Sequence, residues 1–297
     1  MLKKLRLKFV HWLMVGFLLG DLAVVWFAYA QPDNLLHIYF LDVGQGDAIL
    51  ISTTDHQHIL IDGGPDGSVV SQLDSILPVW DRQLDMIILT HPHADHSAGL
   101  LAVLKRYSVE RFIYSGAPYS TDTYESLLTV LQEQNIPVQI ASAGQQYTFG
   151  DVSLDLLWPM AGQPFSQDPN ETSLVTWLRY GNFSTLLMGD ASANNEQTLL
   201  SSGTISDIDV LKVGHHGSQY STSPAFLSVA KPEVAVIEVG ANNNFGHPTQ
   251  TTLNHLGDAR VTIYRTDQNG TVEVTTDGTK YRTLPRSANS AISSPSQ

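Results

Sequence analysis

The sequence contains no cysteine. Disulfide bonds and thiolate metal sites are therefore excluded, and any bound metal must be held by histidine nitrogens and carboxylate oxygens. Charged residues are also scarce, at 15% of the chain, whereas 42% of the residues are hydrophobic. A chain of 297 residues with this apolar content can bury a sizeable core, as layered α/β domains do.

Positive charge is the scarcest of all, since 16 Lys and Arg stand against 29 Asp and Glu. Four of the bases (Lys3, Lys4, Arg6 and Lys8) and one acid (Asp21) lie in the first 30 residues, which leaves 12 bases, 28 acids and a formal charge of −16 for the rest. Such a body repels phosphate backbones at long range, so we expect no stable non-specific DNA clamp. Phosphodiester cleavage is not excluded, because bound divalent cations reverse the local field.

Residues 1–30 predict an export segment. The basic start precedes an apolar stretch, residues 9–30, which Asp21 interrupts, and Ala28-Tyr29-Ala30 has small residues where a signal peptidase cleaves. The segment is therefore interpreted either as a cleaved signal peptide or as an N-terminal membrane anchor. Both interpretations place the remaining chain outside the cytoplasm, secreted or held to the membrane by one helix.

Residues 31–285 predict one α/β domain, and the Ser/Ala/Pro-rich residues 286–297 predict a disordered tail. Hairpin-like strands open each half of the domain, at residues 36–61 and 174–188, and strand–helix units follow in both halves. We expect two sheets packed face to face with helices outside, a four-layer αβ/βα sandwich. The polar clusters follow predicted strands, where ligands bind in layered α/β proteins.

Four residues of metal-ligand type directly follow the apolar strand predicted at Met86–Leu89. His91 and His93 are two residues apart, so in an extended loop they point the same way and can bind one metal through their imidazole nitrogens. Asp95 and His96 come next and can bind a second metal, and Asp95 can also orient a bridging water. The pattern predicts two divalent ions.

Three later segments add candidate ligands, each after a predicted strand. Asp190, in a Gly-Asp pair, can bridge two ions, and His247 is predicted to bind the second. His215 and His216 are adjacent and face opposite sides of an extended backbone, so one should meet the metals. We assign the ligand role to His215, and to His216 contact with substrate or support of the ligands. The backbone N–H groups of Gly217 and Ser218 suit an oxyanion.

These residues carry a family resemblance. The His-X-His-X-Asp-His run at His91–His96 is the hallmark of the metallo-β-lactamase superfamily. Narrower motifs extend over roughly residues 35–283 and resemble the C-terminal metallo-hydrolase domain of ComEC-type competence proteins, which are DNA-uptake channels. Those motifs are Phe40–Ala48, Leu60–Gly64, Asn170–Val175, Leu187–Asp190, Asp209–Ser218, Phe245–Pro248 and Asn269–Val272.

The resemblance implies a hydrolase in which a water between two metals attacks phosphorus or a carbonyl carbon. It implies that Asp95 orients this water, and that His215 or His216, with Lys212, stabilises charge on the leaving oxygen. Asp62, in an Asp-Gly-Gly turn, is a further candidate to contact substrate or support a ligand.

The chain departs from the family pattern in two ways. It has at most one spanning helix, so it is not expected to be the DNA channel itself. No histidine lies between His96 and His215, where the family has one more ligand, and Asn170 occupies a comparable stretch. Because oxygen ligands suit a harder metal, manganese is considered beside zinc.

Three functions follow from these observations. The first is an exported phosphodiesterase or nuclease that acts on DNA or on cell-surface phosphodiesters. The second is a hydrolase of small amides, esters or lactones, including β-lactams, which the charge of −16 favours. The third is a non-catalytic accessory component of DNA uptake, against which the complete His/Asp run argues. The Lys-X-X-His-His-Gly-Ser segment at residues 212–218 favours the first, because it matches the competence branch.

Overall fold

A computed structural model describes residues 11–21 and 33–286. Residues 11–21 are helical (α1). Within these two described stretches, no helix combines the length and the apolar character needed to cross a membrane. Residues 1–10 and 22–30 of the predicted export segment lie outside the described residues, as do residues 287–297 of the predicted tail.

From residue 36 onward, strands and helices alternate along the chain. The strands are β1 (Leu36–Phe40), β2 (Ile49–Ser52), β3 (His58–Ile61), β4 (Gln83–Leu84), β5 (Met86–Leu89), β6 (Ser108–Val109), β7 (Phe112–Tyr114), β8 (Val138–Ile140), β9 (Gln146–Phe149), β10 (Val152–Trp158), β11 (Val175–Tyr180), β12 (Phe183–Leu187), β13 (Val210–Lys212), β14 (Val234–Ile237), β15 (Thr262–Arg265), β16 (Thr271–Thr276) and β17 (Tyr281–Arg286). The helices are α2 (Ser68–Ile76), α3 (Ala94–Ser97), α4 (Leu100–Arg106), α5 (Asp122–Glu133), α6 (Ala193–Ser201), α7 (Pro224–Ala230), α8 (Gln250–Asp258) and α9 (Thr266–Asn269), and 3-10 turns cover Pro169–Thr172 and Gly214–Gly217.

The strands form two large sheets. The first has the order β17-β16-β1-β2-β3-β5-β7-β8, and the second has the order β15-β14-β13-β12-β11-β10-β9. In each sheet one part is antiparallel and the other part is parallel: β3, β5, β7 and β8 run parallel in the first, and β12 to β15 in the second. Each half of the chain therefore contributes a hairpin-rich part and a strand–helix part, as the sequence predicts.

Three apolar clusters hold the layers together. One lies between the sheets and joins residues such as Ile38 and Ile88 of the first sheet to Leu178 and Val236 of the second. The other two cover the outer faces of the sheets, the first with α2, α4 and α5 and the second with α6, α7 and α8. The predicted four-layer αβ/βα sandwich is confirmed.

Asp95 lies in the first turn of α3, which begins at Ala94. The structure departs from the predicted elements in two places. β4 and β6 form a small separate parallel pair, which was not predicted because two-residue strands show no periodic pattern. Arg286 is the last residue of β17, so the predicted tail begins one residue too early.

Helices α3 and α4 approach the turn after β3 backbone to backbone. The N–H of Gly99 donates to the carbonyl of Gly64 at 3.0 Å, and the N–H of Gly63 donates to that of His96 at 2.8 Å. A Cβ on Gly99 would lie 1.9 Å from the carbonyl oxygen of Gly63, so a side chain at this position is sterically excluded. This contact fixes His96 beside Asp62, which ends the preceding strand.

Candidate metal centre

The first group of ligands follows β5. His91 Nε2 and His93 Nδ1 lie 3.0 Å apart and therefore face the same point. The Nδ1 of His91 is 3.1 Å from Thr90 Oγ1, which itself donates to Asp62 Oδ2 at 2.7 Å. These two hydrogen bonds place the proton of His91 on Nδ1 and leave Nε2 as the metal-binding nitrogen. Burial, and then the charge of His96, hold the pKa of His91 well below its usual value, so the ring is neutral, as a ligand must be.

Asp190 stands beside this group. It follows β12 after Gly189, and its N–H donates to Ser173 Oγ at 3.1 Å. Its Oδ2 lies 3.8 Å from His91 Nε2 and its Oδ1 lies 3.4 Å from His96 Nε2. These three residues are buried and offer ligand atoms that all lie within 4.8 Å of one another, which is the spacing of ligands around one cation.

The second group of mutually close ligand atoms comprises Asp47, His96 and His216, which are all buried. The Nε2 of His216 is 3.4 Å from Asp95 Oδ2 and 3.6 Å from Asp190 Oδ2. Its Nδ1 donates to the carbonyl of Glu238 at 2.9 Å, so Nε2 is left for a metal. His96 is arranged alike, because its Nδ1 donates to Asp62 Oδ2 at 2.8 Å and its Nε2 faces Asp190. The carboxylate of Asp190 thus contacts both groups, as a bridging ligand does.

The structure changes the roles predicted for the two adjacent histidines. Neither lies on an extended backbone: His215 has φ 49° and ψ 48°, and His216 has φ 52° and ψ 23°. This left-handed turn costs on the order of 1–3 kcal/mol at each residue, a strain found mostly at functional sites. It points the buried His216 at Asp190 and Asp95. The partly exposed His215, whose Nε2 is 3.9 Å from Asp190 Oδ2, lies at the rim. We therefore assign the ligand role to His216 and the substrate-facing role to His215.

The donors in this cluster fit divalent metal ions. His96 Nε2, His216 Nε2 and Asp190 Oδ1 are buried and have no hydrogen-bond partner among the described residues, although buried polar atoms are normally paired. Burial raises the pKa of Asp190, but the neighbouring charges of His216 and His96 outweigh it and hold that pKa well below the usual range. An ionised carboxylate between imidazole nitrogens suits zinc or manganese.

Two further predicted ligands are His247 and Asn170. The ring of His247 meets that of His215 edge-on, with centroids 5.6 Å apart, and burial together with the charge of His215 lowers the pKa of His247 to about 4. His247 belongs to neither of the two described groups of mutually close ligand atoms. Asn170 has a buried Oδ1 without a hydrogen-bond partner in the described part of the chain. Both stay candidate ligands.

Two predicted roles are not compatible with the structure. Lys212 is fully buried, and its Nζ donates to Asp47 Oδ2 and, at 3.1 Å, to the carbonyl of Gly189. It therefore has no path to a leaving group and instead holds the ligand loops. The N–H of Ser218 donates to the carbonyl of His215 at 2.8 Å, and its buried Oγ accepts from Tyr220 N. The backbone N–H of Ser218 is therefore not free to stabilise an oxyanion.

Two carboxylates important to the centre were not among the predicted site residues. Asp47 Oδ1 lies 3.2 Å from His216 Nδ1, and its backbone N–H donates to the carbonyl of Asp95 at 3.3 Å. The carbonyl of Glu238 accepts a hydrogen bond from His216 Nδ1, and its side-chain Oε1 accepts one from the N–H of Ala48. Glu238 directly follows the apolar strand β14, the same signal that identified Asp190, whereas Asp47 precedes β2 and lacks that signal.

The sequence and the fold identify the class of protein. Residues 41–240 match the family model of the metallo-beta-lactamase superfamily, and the chain belongs to this superfamily, whose members are generally hydrolases. Its fold is similar to that of the metallo-beta-lactamase fold protein YhfI from Bacillus subtilis, with a TM-score of 0.55 at 13% identity over 78% of this chain and 96% of that one.

Two relatives with competence-related names are more similar to this chain in sequence than YhfI is. The chain is 32% identical to ComE operon protein 3 of Bacillus subtilis over 78% of its own length and 32% of that protein. It is 30% identical to competence protein ComA of Neisseria gonorrhoeae over 82% of its length and 33% of that protein. The chain thus spans about a third of the length of these relatives.

Metal binding should release protons. The metal-free centre holds a proton on His216 because, against the effect of burial, the charges of Asp190 and Asp47 raise its pKa to about 10. The pKa of His96 is likewise raised by Asp190 and Asp62. Since a ligand nitrogen must be unprotonated, we expect one to two protons per protein to leave, and the affinity to rise about tenfold per pH unit for each. Calorimetric titration with Zn²⁺ in buffers of different ionisation enthalpy measures this number. The exposed His56→Asn variant should not change it, and an affinity independent of pH between 6 and 8 would contradict it.

Removing Lys212 should destabilise the protein through Asp47. In Lys212→Met the carboxylate of Asp47 stays buried without its cation, which costs about 3–5 kcal/mol of unfolding free energy. The double variant Asp47→Asn/Lys212→Met should regain part of this loss, because no unpaired charge is left. Urea unfolding of the metal-free proteins measures both. Arg179→Met, which breaks the exposed pair with Asp155, should cost less than about 1 kcal/mol. Additive effects of the two single changes at 47 and 212 would show that the pair is not coupled.

Proposed function

We propose that this chain is an exported metal-dependent phosphodiesterase that cleaves DNA or another phosphodiester with the centre around Asp190. The observation that carries the reaction is the arrangement of the buried imidazole nitrogens of His91, His96 and His216 around the ionised carboxylate of Asp190. The similarity to competence proteins over about four-fifths of the chain supports the substrate class.

The residues of the centre have separate tasks. Bound divalent cations would supply Lewis acidity and would acidify a water molecule, and His91, His93, His96, Asp190 and His216 are the residues that would hold them. Asp95 has a side chain 31% exposed, and the nearby charges of His96 and His216 outweigh desolvation and lower its pKa. It therefore stays ionised and can accept a hydrogen bond from the attacking water, which orients that water.

His215 is placed to serve the leaving group. Its side chain is 27% exposed, and burial, more than any neighbouring charge, shifts its pKa downward. A neutral imidazole at the rim can donate an N–H to the oxygen on which negative charge develops. This role does not require Lys212, which lies beneath the ligands.

Hydrolysis should require bound metal and should be selective for phosphodiesters. The full chain, stripped of metal and reloaded with Mn²⁺ or Zn²⁺, is expected to hydrolyse bis-p-nitrophenyl phosphate and single-stranded DNA and to leave a chromogenic lactam intact. His93→Ala should lower the rate at least about 10- to 100-fold, whereas His56→Asn should not. Lactam turnover without phosphodiester cleavage would favour the small-molecule alternative, and no turnover with bound metal would favour an accessory role in DNA uptake.

Export is proposed from the basic start and the apolar stretch of residues 1–30. A bacterial alkaline phosphatase fused after residue 297 folds only where its disulfides can form, outside the cytoplasm. We expect phosphatase activity from the fusion and a loss of most of it when residues 2–30 are deleted. Equal activity of both fusions, normalised to their amounts, would contradict export by this segment.

A further inference from the structure

Phe245 projects from the loop between β14 and α8, next to the metal centre. Its side chain is 67% exposed. Its ring stacks on that of His247, with centroids 5.9 Å apart and planes inclined by 24°. The ring of His247 in turn meets that of His215, which lies 3.9 Å from Asp190. Three rings thus lead from solvent to the carboxylate of Asp190.

The backbone of this loop is held by Asn243. Its Nδ2 donates to the carbonyls of Gly240 and His247, at 3.0 and 2.6 Å, and its Oδ1 accepts the N–H groups of Phe245 and His247, at 3.1 and 3.0 Å. All the hydrogen-bonding groups of this amide are used on one short segment. The loop is also joined to the turn that holds the two adjacent histidines, because Thr249 N donates to the carbonyl of Gly217 at 2.9 Å. The backbone at Phe245 is therefore held in place, and its ring rests on that of His247.

The negative charge of the protein indicates what the ring of Phe245 can contribute to substrate binding. A formal net charge of −13 for the whole chain disfavours binding of a nucleic acid strand through its phosphates outside the metal centre. Groups that do not depend on charge are then better suited to supply affinity. Stacking of a base on an aromatic ring is such an interaction and is worth roughly a 5- to 100-fold change in binding. It needs an unpaired base, because paired bases are stacked within the duplex.

We propose that Phe245 stacks on the unpaired nucleobase next to the scissile phosphate and makes this site selective for single-stranded nucleic acid. The inference rests on the proposed phosphodiesterase function. Phe245 is thus a specificity residue: it contacts the substrate beside the reacting bond and leaves the chemistry to the metal centre.

Two esters with the same leaving group test the inference. Thymidine 5′-(p-nitrophenyl phosphate) carries a base, methyl p-nitrophenyl phosphate does not, and both release p-nitrophenolate. With the metal-loaded full chain we expect kcat/KM for the thymidine ester to exceed that for the methyl ester. In Phe245→Ala the ratio should fall about 5- to 100-fold through KM, with the methyl ester unaffected. Phe245→Trp should restore the ratio.

Trp80→Ala is the matched control. Trp80 resembles Phe245 in exposure, at 68%. It differs in position, because the next residue, Asp81, accepts a hydrogen bond from His58 Nε2 at 3.0 Å. His58 begins β3, so Trp80 lies at the opposite end of the sheet from the metal centre, and this variant should keep the wild-type ratio. Hydrolysis of both esters with a ratio that Phe245→Ala leaves unchanged, or that Trp fails to restore, overturns the stacking role alone. Hydrolysis of neither ester overturns the phosphodiesterase function and this inference with it.

Discussion

Buried charge is the constraint on which the rest of the centre depends. Asp47, Asp62 and Asp190 are at most 2% exposed, and ionised carboxylates are tolerated in such surroundings only when cations and hydrogen bonds compensate them. Lys212 compensates Asp47, and His96 compensates Asp62. Each of these contacts also fixes a ring or a loop. The arrangement that makes the buried carboxylates tolerable therefore also orients the nitrogens that would bind metal.

The groups that compensate the buried charge of Asp47 come from the other sheet. Asp47 and His96 belong to the loops of the first sheet, whereas Lys212 ends β13 of the second sheet and Asp190 and His216 follow β12 and β13. The centre is therefore assembled only when the two sheets pack against each other. This dependence explains how the chain tolerates left-handed backbone at two consecutive histidines, φ 49° and 52°, since the surrounding contacts over-determine their conformation.

How far the sequence predicts such a centre depends on how local its contacts are. The run His91–His96 and the placement of Asp190 after a strand are local features, and the structure brings these residues together. The choice between the adjacent histidines depends on a left-handed turn that no local pattern predicts. The ion pair between Lys212 and Asp47 joins residues 165 positions apart, so the sequence could not show that the lysine faces inward. The fold itself was predictable, because alternating strands and helices extend over most of the chain.

The balance of charge in the centre also links metal binding to substrate. In the metal-free centre the carboxylates of Asp47, Asp62, Asp95 and Asp190 stand against the ammonium of Lys212 and the protonated rings of His96 and His216. One negative charge is left, and a phosphodiester anion is repelled. Glu238 adds none, because burial and the nearby charge of Asp47 raise its pKa well above the usual range. Two divalent cations would supply four positive charges while both rings lose their protons, and would reverse the sign. An acidic protein can therefore attract a phosphodiester at one place on its surface, and only when that place is loaded with metal.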